Sequence, residues 1–175
     1  VVMVCLNIAA CDKGKTKVKS EPCTVTTTLG QELLDLDKAY KDGIITQKEL
    51  EQKLVGSEID PEALTSVVMI QCVDSREEPR NYCSRVCCAN SLKHALDLME
   101  KNPALSVYIL YRDMMAYGFA ETYYTRARKA GVIFIQYQVD KKPRVEASEE
   151  SLAVTVFEPI IGQQIRIQAD LVVLA

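Results

Sequence analysis

From Val67 onward the chain alternates short apolar runs with amphipathic stretches, and this alternation restricts its fold more than any other feature. VVMIQCV (67–73) is a continuous apolar run, as expected of a strand covered on both faces. SRVCCANSLKHALDLMEKN (84–102) places Cys88, Leu92, Ala95, Leu96 and Met99 on one helical stripe, and Asn102-Pro103 stops it. SVYILYRD reads as a second strand, AETYYTRARKAG as a helix closed by Gly131, and GVIFIQYQV as a third strand. LAVTVFEP and QQIRIQAD alternate their faces around Ile161-Gly162, which predicts a hairpin, and LVVLA reads as a last buried strand. The order β-α-β-α-β, hairpin, β predicts an α/β fold. Its core is a Rossmann-like parallel sheet with right-handed crossovers and an added β-hairpin layer.

Ahead of this pattern the chain is less regular. VVMVCLNIAACDKGKTKVKSEPC is apolar, then basic, and IAAC (8–11) resembles the lipobox of bacterial lipoproteins; the other reading is a buried strand and a loop. Leu33, Leu36 and Tyr40 space as a helix face, with Gly43 able to end that helix in a left-handed cap. Thr46 and Glu49 have capping-box spacing, so a second short helix is expected from Gln47 to Leu54. The predicted divisions are an unassigned segment over 1–43, a helical connector over 44–66 and the Rossmann-like domain over 67–175. The chain opens on Val1 and ends at Ala175 inside an apolar run, so a piece of a larger protein is expected.

The cysteines carry the chemistry. There are seven in 175 residues, with a single histidine and a net charge of −3. That charge gives no broad basic surface for nucleic acid, and no apolar run reaches the roughly 18 residues of a membrane helix. A long regular α/β pattern is unlike a short disulfide scaffold. Cys72 falls at the carboxyl end of the first predicted strand, and Cys83, Cys87 and Cys88 span the start of the following helix. Ligands of open α/β sheets bind at this edge. The spacing C-x10-C-x3-C-C lacks the paired knuckles of structural zinc, and adjacent Cys87 and Cys88 reach two irons of a cubane more readily than one tetrahedral ion. Arg76 and Arg85 are placed to offset cluster charge, and with Ser84 they are the polar residues expected beside a cofactor. The competing reading makes Cys72, Cys87 and Cys88 small buried apolar residues.

Other chemistry is thin. His94 lies off the apolar stripe and is expected in solvent. Tyr123 and Tyr124 are expected in the core rather than gating a cofactor, Arg112-Asp113 is expected to pack or form a local ion pair, and Glu149-Glu150 reads as turn charge. No Ser/His/Asp or Cys/His catalytic set is present. The first strand ends QCVDS rather than in a GxGxxG turn, so weak or absent NAD(P) binding is expected.

The element order is similar to the nicotinamide domain of two-domain flavoprotein disulfide reductases. More specifically, VVMIQCVDSREEPRNYCSRVCCANSLKHAL, followed by VYILYRDMMAYG, YYTRARKAGVIFIQY and DLVVLA, resembles the family formed by the A subunits of heterodisulfide reductases. That family includes the A subunit of the quinone-interacting membrane-bound oxidoreductase. The resemblance runs from about Ile44 to Ala175, and residues 1–43 do not match. It implies an oxidoreductase with FAD in a thioredoxin-reductase-like core, mostly outside this chain, and a [4Fe–4S] cluster whose ligands would be Cys72, Cys83, Cys87 and Cys88. Implied partners are other oxidoreductase subunits and a second copy in a homodimer, with no nucleic acid and no transmembrane segment. Asp74 replaces a usual glycine, and the Thr-Gly that follows DLVVLA in the family is missing. Two functions remain open. One is the electron-transfer portion of a flavin and iron–sulfur oxidoreductase in an anaerobic cytoplasm, with an envelope location if Cys11 lies in a true lipobox. The other is a structural or subunit-docking domain whose cysteines hold zinc or are simply buried.

Overall fold

The computed structural model describes residues 43–73, 75–147 and 152–175. The lipobox-like motif with Cys11, the helix expected around Leu33 to Tyr40, Asp74 and Glu149-Glu150 lie outside the described residues.

Five parallel strands form the central sheet: β1 (Ile44–Thr46), β8 (Leu171–Leu174), β2 (Ser66–Ile70), β3 (Ser106–Tyr111) and β4 (Ile133–Gln136), side by side in that order. Three helices, α1 (Gln47–Val55), α2 (Cys87–Lys101) and α3 (Ala120–Lys129), cover one face. A three-stranded antiparallel sheet of β5 (Arg144–Ala147), β6 (Leu152–Glu158) and β7 (Gln163–Ala169) covers the other.

The two-residue side-chain period of a strand sorts the core into these layers. Val67, Met69, Val107 and Ile109 pack with Leu50, Leu92, Ala95 and Leu98 of the helices. Val68, Ile70, Leu110 and Val172 pack with Val154, Val156 and Ile167 of the antiparallel sheet. Both faces of β2 are therefore dry, which explains its unbroken apolar run. The expected α/β architecture, parallel sheet and hairpin layer are all present, and Gly162 turns the hairpin with φ +68°.

Two strands were not expected. IIT joins the parallel sheet as β1 instead of linking two helices, and RVEA extends the hairpin to three strands. Both are short, and neither has a run long enough to carry a period. Thr46 does cap α1: its hydroxyl accepts from the Glu49 N–H at 3.3 Å, and the Glu49 carboxylate accepts from the Thr46 N–H at 2.7 Å.

Gly43 sits just before β1 with φ +75°, and its carbonyl accepts from the Val172 N–H. A Cβ there would come within 2.8 Å of the Asp170 carbonyl oxygen. Gly43→Ala is expected to destabilise by about 1–3 kcal/mol through left-handed strain and this backbone clash. A urea-unfolding midpoint equal to that of the parent chain would contradict the assignment.

α2 buries more of its circumference than its apolar stripe suggests. Leu98 and Ser91 are fully buried, and His94, expected in solvent, is only 2% exposed. The reason is α1, which lies across the polar side of α2 and ties to it through Glu51–Lys93 at 2.8 Å. His94 borders a groove of about 380 Å³ with Glu51, Leu54, Val55, Lys93 and Asp97. Burial, then the Lys93 charge, pushes its pKa below the ordinary value. A lowered folded pKa means that the unfolded chain binds the proton more readily. Stability is thus expected to be full above about pH 6.5 and to fall as pH drops through the window below it. His94→Gln should flatten that slope when urea midpoints are compared at about pH 5 and about pH 7.5.

Candidate functional site

The carboxyl ends of β2, β3 and β8 meet the start of α2 around a cavity of about 110 Å³. Cys72, Cys83, Cys87 and Cys88 all line it, together with Met115 and Ala175. Each arrives differently. Cys72 follows β2 with φ +61°, in the left-handed region that a non-glycine residue rarely adopts. Cys83 is carried by the loop over residues 75–86. Cys87 and Cys88 open α2, and only Cys88 is buried. All four are free thiols.

The loop is held from below. Arg112 donates to the carbonyls of Ser75 and Arg76 and to the Glu77 carboxylate at 3.1 Å. Asp113 accepts from Arg76 at 2.5 Å. The local ion pairing expected of Arg112 and Asp113 is therefore made with the loop rather than between the two residues. Arg76 and Arg85 also have positive φ, at 62° and 60°. Two left-handed non-glycine residues, Cys72 and Arg85, line the cavity and a third, Arg76, approaches Cys72; such strain clusters at functional sites.

The polar contacts of the thiols are specific. The Ser84 hydroxyl lies 2.9 Å from Cys87 Sγ, the Arg85 N–H donates to Cys83 Sγ at 3.4 Å, and an Arg76 guanidinium nitrogen approaches Cys72 Sγ at 4.0 Å. Of the residues singled out from the sequence, Ser84 and Arg76 reach cysteines through their side chains, whereas Arg85 does so through its backbone N–H. The N-cap of α2, Val86, supplies no capping side-chain hydrogen bond to the first-turn N–H groups. Burial pushes the Cys88 thiol up; contact with the Met115 backbone lowers it, and negative charge on Cys72, Cys83 or Cys87 raises it further.

Among the described residues, no group of three or more His, Cys, Asp or Glu side chains is drawn tightly enough to hold a single metal ion. A tetrahedral zinc with bonds of about 2.3 Å needs its sulfurs only about 3.8 Å apart. The cavity that the four cysteines help to line exceeds the roughly 10–15 Å³ that admits one water. The donor set is soft, the type that zinc and iron–sulfur groups both take.

Sequence reasoning missed several contributors. Met115 and Ala175 enter from distant strand ends. Gln71 and Ser91, both buried, and the half-buried Gln47 form a polar chain behind the cysteines. One signal was readable: Gln71 is the polar residue inside VVMIQCV. Tyr124 packs edge-on to Phe134 as expected of a core aromatic, whereas Tyr123 is exposed. Among the described residues no helix is long and apolar enough to cross a membrane.

Fold and site together define a three-layer α/β domain with a cavity lined by four thiols at the carboxyl edge of its parallel sheet. No protein-family model matches the chain. Curated relatives do, and through them the chain is related to the A subunits of the heterodisulfide reductases. The A subunit of the ferredoxin:CoB-CoM heterodisulfide reductase of Methanosarcina acetivorans is 39% identical over 62% of this chain and 14% of its own length. The iron-sulfur A subunit of the CoB–CoM heterodisulfide reductase of Methanocaldococcus jannaschii is 33% identical over 94% of this chain and 28% of its own. The A subunit of the H(2)/formate:CoB-CoM heterodisulfide,ferredoxin reductase of Methanococcus maripaludis is 33% identical over 98% and 29%. The chain therefore spans less than a third of these relatives. Coverage of 94% and 98% also carries the similarity into residues 1–43, which corrects the expectation that the resemblance starts near Ile44. A solved thioredoxin reductase from T. acidophilum overlays with a TM-score of 0.48 and 12% identity, over 79% of this chain and 37% of that one, too loosely to carry an argument.

Proposed function

We propose that Cys72, Cys83, Cys87 and Cys88 hold a [4Fe–4S] cluster, and that this segment is the electron-relay portion of a flavin and iron–sulfur oxidoreductase of the heterodisulfide reductase type. The observation that carries the proposal is that all four thiols line one cavity at the carboxyl edge of the sheet. When bound, the cluster supplies reversible one-electron exchange. The chain's own groups hold it and set its charge environment. The uncapped first turn of α2 offers N–H groups and the positive end of its dipole to an anionic group. Ser84 and the Arg85 N–H are placed to donate to ligand sulfurs, and sulfur hydrogen bonds tune cluster potentials. The strand-to-helix turn after β2 lacks the glycines of a pyrophosphate site and is filled by the 75–86 loop, so NAD(P) binds weakly or not at all.

FAD belongs to the longer protein and sits mostly outside this segment; other oxidoreductase subunits are its partners. Thiolate ligation requires reduced cysteines, which favours a reducing, cytoplasmic setting. Val73, Tyr82, Val86, Tyr117 and Phe119 are exposed on loops at the same sheet edge, and this apolar rim supports the alternative of a subunit-docking domain.

One sample separates the readings. Full-length protein reconstituted anaerobically with iron and sulfide should bind about four irons at this site and bleach on reduction. Zinc at the four cysteines, or no metal, would leave only the docking reading.

A further inference from the structure

Behind the cysteines lies a polar chain whose two inner members, Gln71 and Ser91, are buried and whose third, Gln47, is half-buried. Gln71 directly precedes Cys72 and is 0% exposed. Its Nε2 donates to Ser91 Oγ at 2.6 Å. Ser91, also fully buried, sits one turn into α2 beyond Cys87 and Cys88. Gln47, the first residue of α1, donates from its Nε2 to the same Ser91 Oγ and to the Cys87 carbonyl at 3.1 Å. The Gln71 backbone is held as well: its N–H donates to the Leu110 carbonyl at 2.9 Å, and its carbonyl accepts from the Tyr137 hydroxyl at 2.5 Å.

Stability alone does not account for this arrangement. Gln71 Oε1 is buried without a hydrogen-bond partner. An unpaired buried amide oxygen is a penalty that an apolar side chain of the same shape avoids. The neighbouring positions of β2 that face the helices, Val67 and Met69, are apolar. A polar residue held at a penalty beside a functional loop marks a position kept for the site.

We infer that Gln71, Ser91 and Gln47 are positioning residues that fix the spacing between Cys72 on the strand end and Cys87–Cys88 on the helix start. The inference rests on the cluster reading above and deepens it. The brace ties the two walls of the cavity to each other, so neither a shift of α2 along the sheet nor a rotation of the Cys72 turn occurs without breaking it. Ligand spacing and surrounding hydrogen bonds in turn set the properties of a bound group.

The test uses the full-length protein with Gln71→Met, which keeps an unbranched side chain of similar size but removes the amide. Thermal stability is expected to stay level or rise, because the orphaned oxygen is gone. The midpoint potential and the electron-paramagnetic-resonance signal of the reduced cluster are expected to shift. In metal-free protein, Cys87 alkylation by iodoacetamide is expected to quicken about two- to tenfold, the range that one lost hydrogen bond gives a local opening equilibrium. Ser91→Ala should produce the same changes, and the double variant no more than either single one. Unchanged potential, spectrum and alkylation rate in Gln71→Met would overturn the inference while leaving the cluster in place. If the parent protein binds no iron, the cluster reading falls; the brace is then decided by the alkylation rates alone, and equal rates in parent and variant reject it.

Discussion

Cys87→Ser is expected to leave the protein folded, to remove one cluster's worth of iron, about four atoms, and to stop electron flow to the flavin. Cys87 is the right position because its thiol is at the cavity but its side chain is only partly buried. Loss of its packing should change stability by no more than about 1 kcal/mol. A serine hydroxyl is a hard, weakly acidic group and a poor substitute for a soft thiolate. Cys88 is a worse choice, since its burial mixes packing loss with ligand loss. Iron content and turnover equal to those of the parent protein would retire the relay and leave a structural domain.

The largest effect on folding is expected at Leu92. This side chain is fully buried in the layer between the helices and the parallel sheet, packed with Leu50, Val67, Met69 and Leu98. Leu92→Ala should destabilise by about 2–5 kcal/mol through lost transfer energy and the cavity left behind. A domain of this size has roughly 5–15 kcal/mol in all, so the variant approaches the threshold of unfolding. Chemical denaturation decides it: a loss below about 1 kcal/mol would mean that α2 does not sit on the sheet as described. Since α2 carries Cys87 and Cys88, the same variant is expected to lower iron occupancy, an indirect loss that Cys87→Ser does not share.

The parallel sheet was legible because its central strands are dry on both faces. Val67–Ile70 and Leu171–Val173 have no polar residue to interrupt them, and only strands between two layers look like that. The hairpin was legible from its alternation and from Gly162. β1 and β5 were not, because three or four residues at an edge carry no period. His94 misled because burial of a helix face depends on what crosses it, and the position of α1 over α2 cannot be read from the stripe on α2. At the site, the four cysteines were legible from spacing and from their place after the first strand. The Gln47–Ser91–Gln71 chain was not, since it joins residues from α1, α2 and the end of β2 that no local pattern connects.

The place of β8 in the sheet has a consequence for the order of assembly. β8 lies between β1 and β2, yet β2 ends at Ile70 and β8 begins at Leu171. A ribosome must therefore release nearly the whole domain before the middle of its sheet can be filled, and pairings of such long sequence separation are slow to form. The cysteine wall waits on the same event, because the Val73 N–H next to Cys72 donates to the Ala175 carbonyl just past β8. During synthesis the thiols are thus present long before the pocket is, a period in which a nascent chain depends on its surroundings to keep them reduced.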